Sequence, residues 1–285
     1  MPEGDTLFRT ARSMSRALVD KPITSFRSTY PLLTRFNDDT PLAGQTVNLV
    51  ESRGKWLLIH FSGGATLVTH LLMSGSWHIY RPGERWQKPA SHMRIVLENC
   101  DYQTVGFHVP VAHMHTAQSL VRDKRIPAPG SDVLSSDFDP VAAASRLQAC
   151  LNEEIGDVLL HQEVLAGVGN VFKSEICFVE SVNPFCKVSA LADIQVAALV
   201  RTARKLVAAN VLEDAPDRIV TFRGRQRRTT HQSNPQESLW VYGRHGDPCR
   251  RCAAPIRKRI QGPDARVTFW CPQCQPMPDG SDVDG

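Results

Sequence analysis

No apolar run in this chain approaches the roughly 18 residues that a membrane-spanning helix needs. The first residues carry two acids, Glu3 and Asp5, where a secretory signal would carry basic side chains. A membrane protein and a secreted one are therefore both disfavoured, and the expected location is intracellular. A His-Glu-x-x-His sequence is also missing, which argues against a zinc hydrolase. What remains, 285 residues with 42% hydrophobic and 22% charged side chains, reads as globular. The length suits one large domain or two ordinary ones, each with its own core.

The net charge of +4 is small, but it is unevenly spread. Residues 218–259 hold 11 Lys/Arg against 2 Asp/Glu, a local excess of 9 that leaves −5 for the rest of the chain. A concentrated basic stretch is what a polyanion binder uses, because each phosphate it neutralises releases counterions. A solvated face is the plainer explanation of the same run. Of the eight cysteines, Cys100, Cys150, Cys177 and Cys186 are scattered and read as small hydrophobes or bystanders. The others form a pattern. Cys249-x2-Cys252 and Cys271-x2-Cys274 stand 18 residues apart, the spacing of a four-cysteine zinc site. With all four positions thiolates, none is left open, and the ion is expected to be structural: one zinc, holding 257–269 as a finger with Arg266 near its tip.

The pattern along the chain predicts an α+β protein. Leu7, Ala11, Met14 and Leu18 recur at helical spacing, with Asp5 as the expected N-cap. Strands are expected at 46–50, 56–61, 65–71, 93–98 and 102–107, forming an N-terminal β-sandwich (1–125) with this helix packed on it. Gly63-Gly64 is a hairpin signal. A second hairpin is expected around Ser74-Gly75, with Leu72 and Met73 at its tip. These two side chains could wedge between bases or point into the core. Residues 126–139, rich in proline and glycine, read as a linker. Arg125 at its mouth could touch a ligand. Helices are expected at 141–151, 155–163, 171–179 and 190–212, in a helical domain over 140–240, followed by the finger at 241–275 and an acidic, disordered tail at 276–285.

Three further features carry possible chemistry. After removal of Met1, Pro2 would present a secondary amine beside the Glu3 carboxylate. An α-amino group titrates near 7.7–8.0, so a useful fraction is able to attack a carbonyl carbon at neutral pH. Lys55 follows Arg53-Gly54 at the mouth of a strand, where a lysine is ordinarily a solvated charge. Gly167-Val-Gly-Asn170 gives a tight turn before a helix, with Asn170 as the expected N-cap and the helix start as an anion site. His70 and His92, each a lone strand-region histidine, read as structural.

Taken together, these segments resemble the formamidopyrimidine-DNA glycosylase/endonuclease VIII family of base-excision repair enzymes. Met-Pro-Glu-Gly, Arg-Gly-Lys-Trp-Leu-Leu, His-Leu-Leu-Met-Ser-Gly-Ser-Trp, Leu-Ala-Gly-Val-Gly-Asn-Val-Phe-Lys-Ser-Glu and Arg-Val-Thr-Phe-Trp-Cys-Pro-Gln-Cys-Gln match its motifs in order, from Pro2 to about Gln275. The resemblance implies a helix–two-turn–helix domain, damaged double- or single-stranded DNA as partner, a monomer, and a cytoplasmic, nucleoid-associated location. It also implies roles. Pro2 would attack C1′ of the damaged nucleotide, and Glu3 would protonate the sugar oxygen. Lys55 would contact phosphate and the reacting sugar. Asn170 and Arg266 would grip phosphates flanking the lesion, Arg266 also assisting the second elimination, and His70 would make a lesser phosphate contact. The opening resembles the endonuclease VIII branch, which implies oxidised pyrimidines. An Arg-Arg-Phe-Gly insertion typical of the purine branch is replaced by Gly106-Phe107-His108-Val109-Pro110, which leaves Leu72 and Met73 to fill the space opposite the lesion. Leu72 is apolar where a polar residue is typical. A non-catalytic zinc-finger DNA binder on the same fold is the competing expectation, and Pro2, Glu3 and Lys55 argue against it.

Overall fold

Leu7, Ala11, Met14 and Leu18 are all buried along one side of α1 (Gly4–Leu18), so the helical spacing in the sequence marks the face that meets the core. The structure, a computed structural model, describes residues 2–128, 130–211, 229–230 and 237–280. Its described residues form two compact units that part between Ile126 and Pro127. Arg218, Arg223, Arg225, Arg227 and Arg228, about half of the basic stretch, lie outside the described residues, as does Met1.

The first unit is built on two four-stranded antiparallel sheets. One runs β2 (Val47–Arg53), β3 (Trp56–Phe61), β4 (Ala65–His70) and β8 (Val111–Thr116). The other runs β1 (Ser25–Ser28), β6 (Met93–Glu98), β7 (Gln103–Phe107) and β5 (Ser76–Tyr80). Leu57, Ile59 and Leu67 from the first sheet, Ile79, Ile95 and Leu97 from the second, and the buried face of α1 share one apolar core. A sandwich with a packed helix is thus the architecture. Gly64 takes a φ of +82° in the β3–β4 turn, a conformation that costs glycine nothing.

Several elements were not evident in the sequence. In β5 every residue is buried, polar ones included, because Tyr80, Val96, Val105 and Phe107 with Trp86 and Met93 cover the sheet's other face. His78 sits there between Ser76 Oγ (3.1 Å) and Tyr80 Oη (3.0 Å). The sequence of β5, Ser-Trp-His-Ile-Tyr, does alternate polar and apolar residues, but at five residues the run is too short for that period to stand out. Helices α2 (Pro31–Asp39) and α3 (Ala117–Arg122) are short and mostly exposed, and β1 and β8 are likewise additional.

The second unit is helical, with α4 (Pro140–Gln148), α5 (Ile155–Val158), α6 (Asn170–Val179) and α7 (Asp193–Ala209) around a core of Leu147, Leu159, Phe172, Ile176 and Leu199. The helix expected over 155–163 stops after one turn. The expected linker is part of this unit: Val133 and Phe138 enter its core, and Val133 N–H donates to Ala166 O (3.1 Å). The finger follows as a hairpin of β9 (Arg257–Gln261) and β10 (Arg266–Trp270). The tail does not begin free of the fold, since Met277 packs on Phe185 and Trp270. Residues 281–285 lie outside the described residues.

Candidate functional site

Arg53 is paired directly with Trp56, so Gly54 and Lys55 form a two-residue turn, and Gly54 adopts the left-handed φ of +59° that such a turn requires. Trp56 in turn lies opposite His70 on β4, with their rings edge to face at 4.8 Å. One end of the sheet therefore collects Lys55, His70 and the segment after it. Burial, reinforced by the Lys55 ammonium, pushes His70 down to about 4, so its ring is neutral at physiological pH. His70 Nδ1 accepts the Leu72 N–H at 3.1 Å, which leaves the ring proton on Nε2.

Leu72 and Met73 do not sit on a hairpin. They occupy the turn by which the chain leaves β4 and enters β5 in the opposite sheet, because β4 pairs with β3 and β8 while β5 pairs with β7. The turn is strained and close: Leu72 has a φ of +45°, and a Cβ on Gly75 would stand 2.7 Å from Leu71 O. Leu71 is buried, whereas Leu72 is 45% and Met73 72% exposed, so of the two alternatives the one with both side chains in the core is excluded. Apolar side chains held out on a rigid turn are suited to insertion between stacked groups.

At the chain start, Glu3, and not Asp5, is the N-cap of α1. Glu3 O receives the N–H groups of Thr6 (3.0 Å) and Leu7 (3.1 Å), and its side chain is fully buried. Asp5 lies inside the first turn, where its carboxylate meets Arg9 Nη2 at 3.3 Å. Pro2, next to the cap, is partly buried. Arg125 is clamped by Asp123 through two contacts, Nε–Oδ1 at 2.9 Å and Nη2–Oδ2 at 2.6 Å, and this pairing holds Asp123 down to about 2.

In the second unit Asn170 is the first residue of α6 and Gly169 is the cap, so the expected capping role of Asn170 is not what it performs. Its side chain, 8% exposed, reaches to the finger instead, and Nδ2 donates to Val267 O at 2.8 Å. That carbonyl belongs to the residue after Arg266. The amide nitrogen carries two N–H groups, and this bond uses one. Arg266, 41% exposed on its side chain, opens β10 beside the turn at Gly262–Ala265 and lies 3.6 Å from Asp264. Gly262 is required there twice over: its φ is +69°, and a Cβ would stand 2.3 Å from Asp157 Oδ1. The finger tip is thus seated on α5.

Two buried charged residues escaped the reading of the sequence. Lys173 is completely buried, and its Nζ donates to Thr268 Oγ1 at 2.6 Å; Thr268 then donates to Gln261, whose amide donates to Glu154 and to Pro184 O. Burial lowers Lys173 to about 8. The Glu175 carboxylate, also fully buried, accepts the N–H groups of Trp240 (2.8 Å), Val241 (2.9 Å) and Tyr242 (2.9 Å) and the Thr229 hydroxyl. Both side chains tie α6 to the chain around the finger. The clue was present: a lysine and a glutamate interrupt the apolar sequence Asn-Val-Phe-Lys-Ser-Glu-Ile-Cys-Phe-Val.

The four cysteines of the finger converge, their sulfurs all within 4.8 Å of one another, and can hold a metal ion. Backbone N–H groups of Arg251 and Cys274 point at Cys249 Sγ (3.4 Å) and Cys271 Sγ (3.5 Å). Cys177 and Cys186 are buried as expected, whereas Cys100 is exposed.

Residues 1–110 match the model of the formamidopyrimidine-DNA glycosylase N-terminal domain, and residues 130–218 match that family's H2TH domain. The chain is 39% identical over 281 residues to "Probable endonuclease 8 2" of Streptomyces coelicolor, covering 98% of this chain and 95% of that one. The chain belongs to the formamidopyrimidine-DNA glycosylase/endonuclease VIII family. It is also 36% identical to a DNA-(apurinic or apyrimidinic site) lyase of Mycolicibacterium smegmatis (96% and 99% covered), and 31% identical to endonuclease 8 of Escherichia coli (96% and 100%). Its fold matches that of the Lactococcus lactis formamidopyrimidine-DNA glycosylase solved with abasic-site DNA, with a TM-score of 0.77 over 96% of this chain and 100% of that one at 24% identity. Within this family the structure gives Lys55 and His70 a common sheet end, and gives Asn170 a direct hold on the strand that carries Arg266.

Proposed function

We infer that this chain is a bifunctional DNA glycosylase and AP lyase of base-excision repair that acts on oxidised pyrimidines through Pro2. The observation that carries the inference is its likeness, over nearly its whole length, to proteins named endonuclease 8 and DNA-(apurinic or apyrimidinic site) lyase, on a chain that opens Met-Pro-Glu-Gly. With Met1 removed, the Pro2 nitrogen attacks C1′ of the extruded nucleotide. The glycosidic bond breaks, the base leaves with a proton, and Glu3 protonates the ring oxygen so that the sugar opens to an iminium. The positive nitrogen acidifies the C2′–H bond. Loss of that proton expels the 3′ phosphate, a second elimination expels the 5′ phosphate, and water releases the sugar remnant from Pro2.

The other side chains have consistent tasks. Lys55 and the Nε2–H of neutral His70 are donors at one sheet end, and Asn170 and Arg266 are donors on the second unit, all suited to phosphate oxygens. Leu72 and Met73 fill the space vacated by the extruded nucleotide, whose unstacking costs a few kcal/mol. Pyrimidine preference rests on the β7–β8 connection, which runs only from His108 to Pro110 and carries no arginine insertion. The metal in the four-cysteine site is zinc in a structural role. Tetrahedral Zn–S bonds near 2.3 Å set S···S edges of about 3.8 Å, and Cys249–Cys274 and Cys252–Cys271 stand 3.8 and 3.4 Å apart.

Borohydride trapping on DNA containing an abasic site or thymine glycol tests the mechanism. A covalent adduct is expected with the wild type and none with Pro2→Gly, and an adduct that persists in the variant would refute the role of Pro2. The same assay on 8-oxoguanine opposite cytosine tests the branch, since efficient excision there with none of thymine glycol or 5-hydroxyuracil would overturn pyrimidine preference.

A further inference from the structure

A second cluster of metal-ligating side chains lies in the helical unit, apart from the finger cysteines. Cys150, just after α4, Glu153 in the turn before α5, and His161, just after α5, each bring one ligand atom within 4.8 Å of the others. The backbone sets this up. Glu153 N–H donates to Cys150 O (3.1 Å), which folds the two side chains into one turn, and His161 N–H donates to Val158 O (3.1 Å) as α5 ends. His161 Nε2 lies 3.5 Å from Glu153 Oε2. Nitrogen and oxygen ligands held at 2.0–2.1 Å around a tetrahedral ion stand about 3.3 Å apart, so only a small adjustment separates this pair from a coordinating geometry.

We propose that Cys150, Glu153 and His161 form a second, solvent-accessible site for a thiophilic divalent cation of the zinc, cobalt or cadmium class. A thiolate, an imidazole and a carboxylate make a mixed soft and borderline set that suits these ions and not magnesium or calcium. Glu153 is exposed and the other two are half-buried, so three protein ligands leave a fourth position for water. The surroundings are anionic: burial and the carboxylates of Glu153 and Glu163 hold the Cys150 thiol above its usual range, a penalty that a bound cation would reverse.

An ion there would act on the segment that precedes Asn170. His161 O receives the N–H groups of Val164 (3.1 Å) and Leu165 (2.9 Å). The next side chain, Gln162, donates to Leu160 O and Val168 O and accepts from Gly167 N–H. Coordination of His161 would clamp the base of this turn to the Cys150–Glu153 turn.

The test uses the full, untagged chain, isolated with its finger metal in place and titrated with cobalt(II). One cobalt bound in addition to the metal already present is expected, with a thiolate-to-cobalt charge-transfer absorption and a rise in unfolding temperature. All three should be lost in Cys150→Ser and in His161→Ala, and kept in Cys177→Ser. No additional cobalt would overturn the proposal. So would absorption that persists in Cys150→Ser, because that signal would come from exchange into the four-cysteine finger. The site is independent of the reaction assigned above, since its readout is metal content and not DNA cleavage.

Discussion

His70 owes its neutrality first to burial and second to the lysine beside it, and the two causes can be separated. Removing the charge with Lys55→Ala is expected to raise the His70 pKa from about 4 while leaving it below 6.5, because the larger cause remains. The pH titration of the ring-proton resonance measures this, and an unchanged value would mean that the ammonium is not felt. The wild type carries a corresponding acid sensitivity. Between pH 6.5 and about 4 the unfolded chain binds the histidine proton and the folded one does not, so stability falls as pH falls through that window. His78, lowered to about 4 by burial and Lys88, adds to the same loss. Identity alone told which residue types were present. Whether a histidine titrates depends on what covers it, and that information lies on β3, β5 and the turns.

At the scale of elements, α6 ties the helical core to the finger. Its buried Lys173 and Glu175 face the finger and the chain leading into it. Below pH 8 the folded and unfolded chains both hold the Lys173 proton, and burial of the ammonium costs roughly 3 kcal/mol. From about 8 to 10.5 the unfolded chain binds the proton more tightly, so this group makes stability rise with pH. Urea unfolding of the wild type and of Lys173→Met at pH 7.5 and pH 10 checks it. The wild type is expected to gain on the variant at the higher pH, and parallel changes in the two would show that the lysine is not desolvated. Amphipathic period revealed α1 and most of α4 and α7, since each buries one stripe, whereas α6, buried almost all round, was revealed by its apolar run. Periodicity failed for β5, whose alternating run is only five residues long, and for α5, where the apolar pattern continues but the chain turns away after Val158.

For the whole molecule, the finger carries four cysteines placed to hold a metal ion. The finger's apolar cluster is small, holding Phe178, Val241, Ile256 and two of the cysteines, so four coordinate bonds to a metal there would contribute much of its stability. Chelating the zinc is expected to abolish DNA binding while amide exchange in β3 and β4 stays slow, because the sandwich has its own core. Unchanged DNA affinity after verified metal loss would remove the finger from the interface. By itself the sequence determined the fold class, the cysteine site, the family and the residue types available for chemistry, because periodicity, x2 spacing and short motifs are local properties. Tertiary structure alone decided that Glu3 and not Asp5 caps α1, that Leu72 and Met73 stand on a crossing between sheets, and that Asn170 holds the strand of Arg266. The first depends on where the backbone turns into the helix, the second on which strands pair, and the third on which distant carbonyl lies opposite a side chain, and none of these is a property of residue type or spacing.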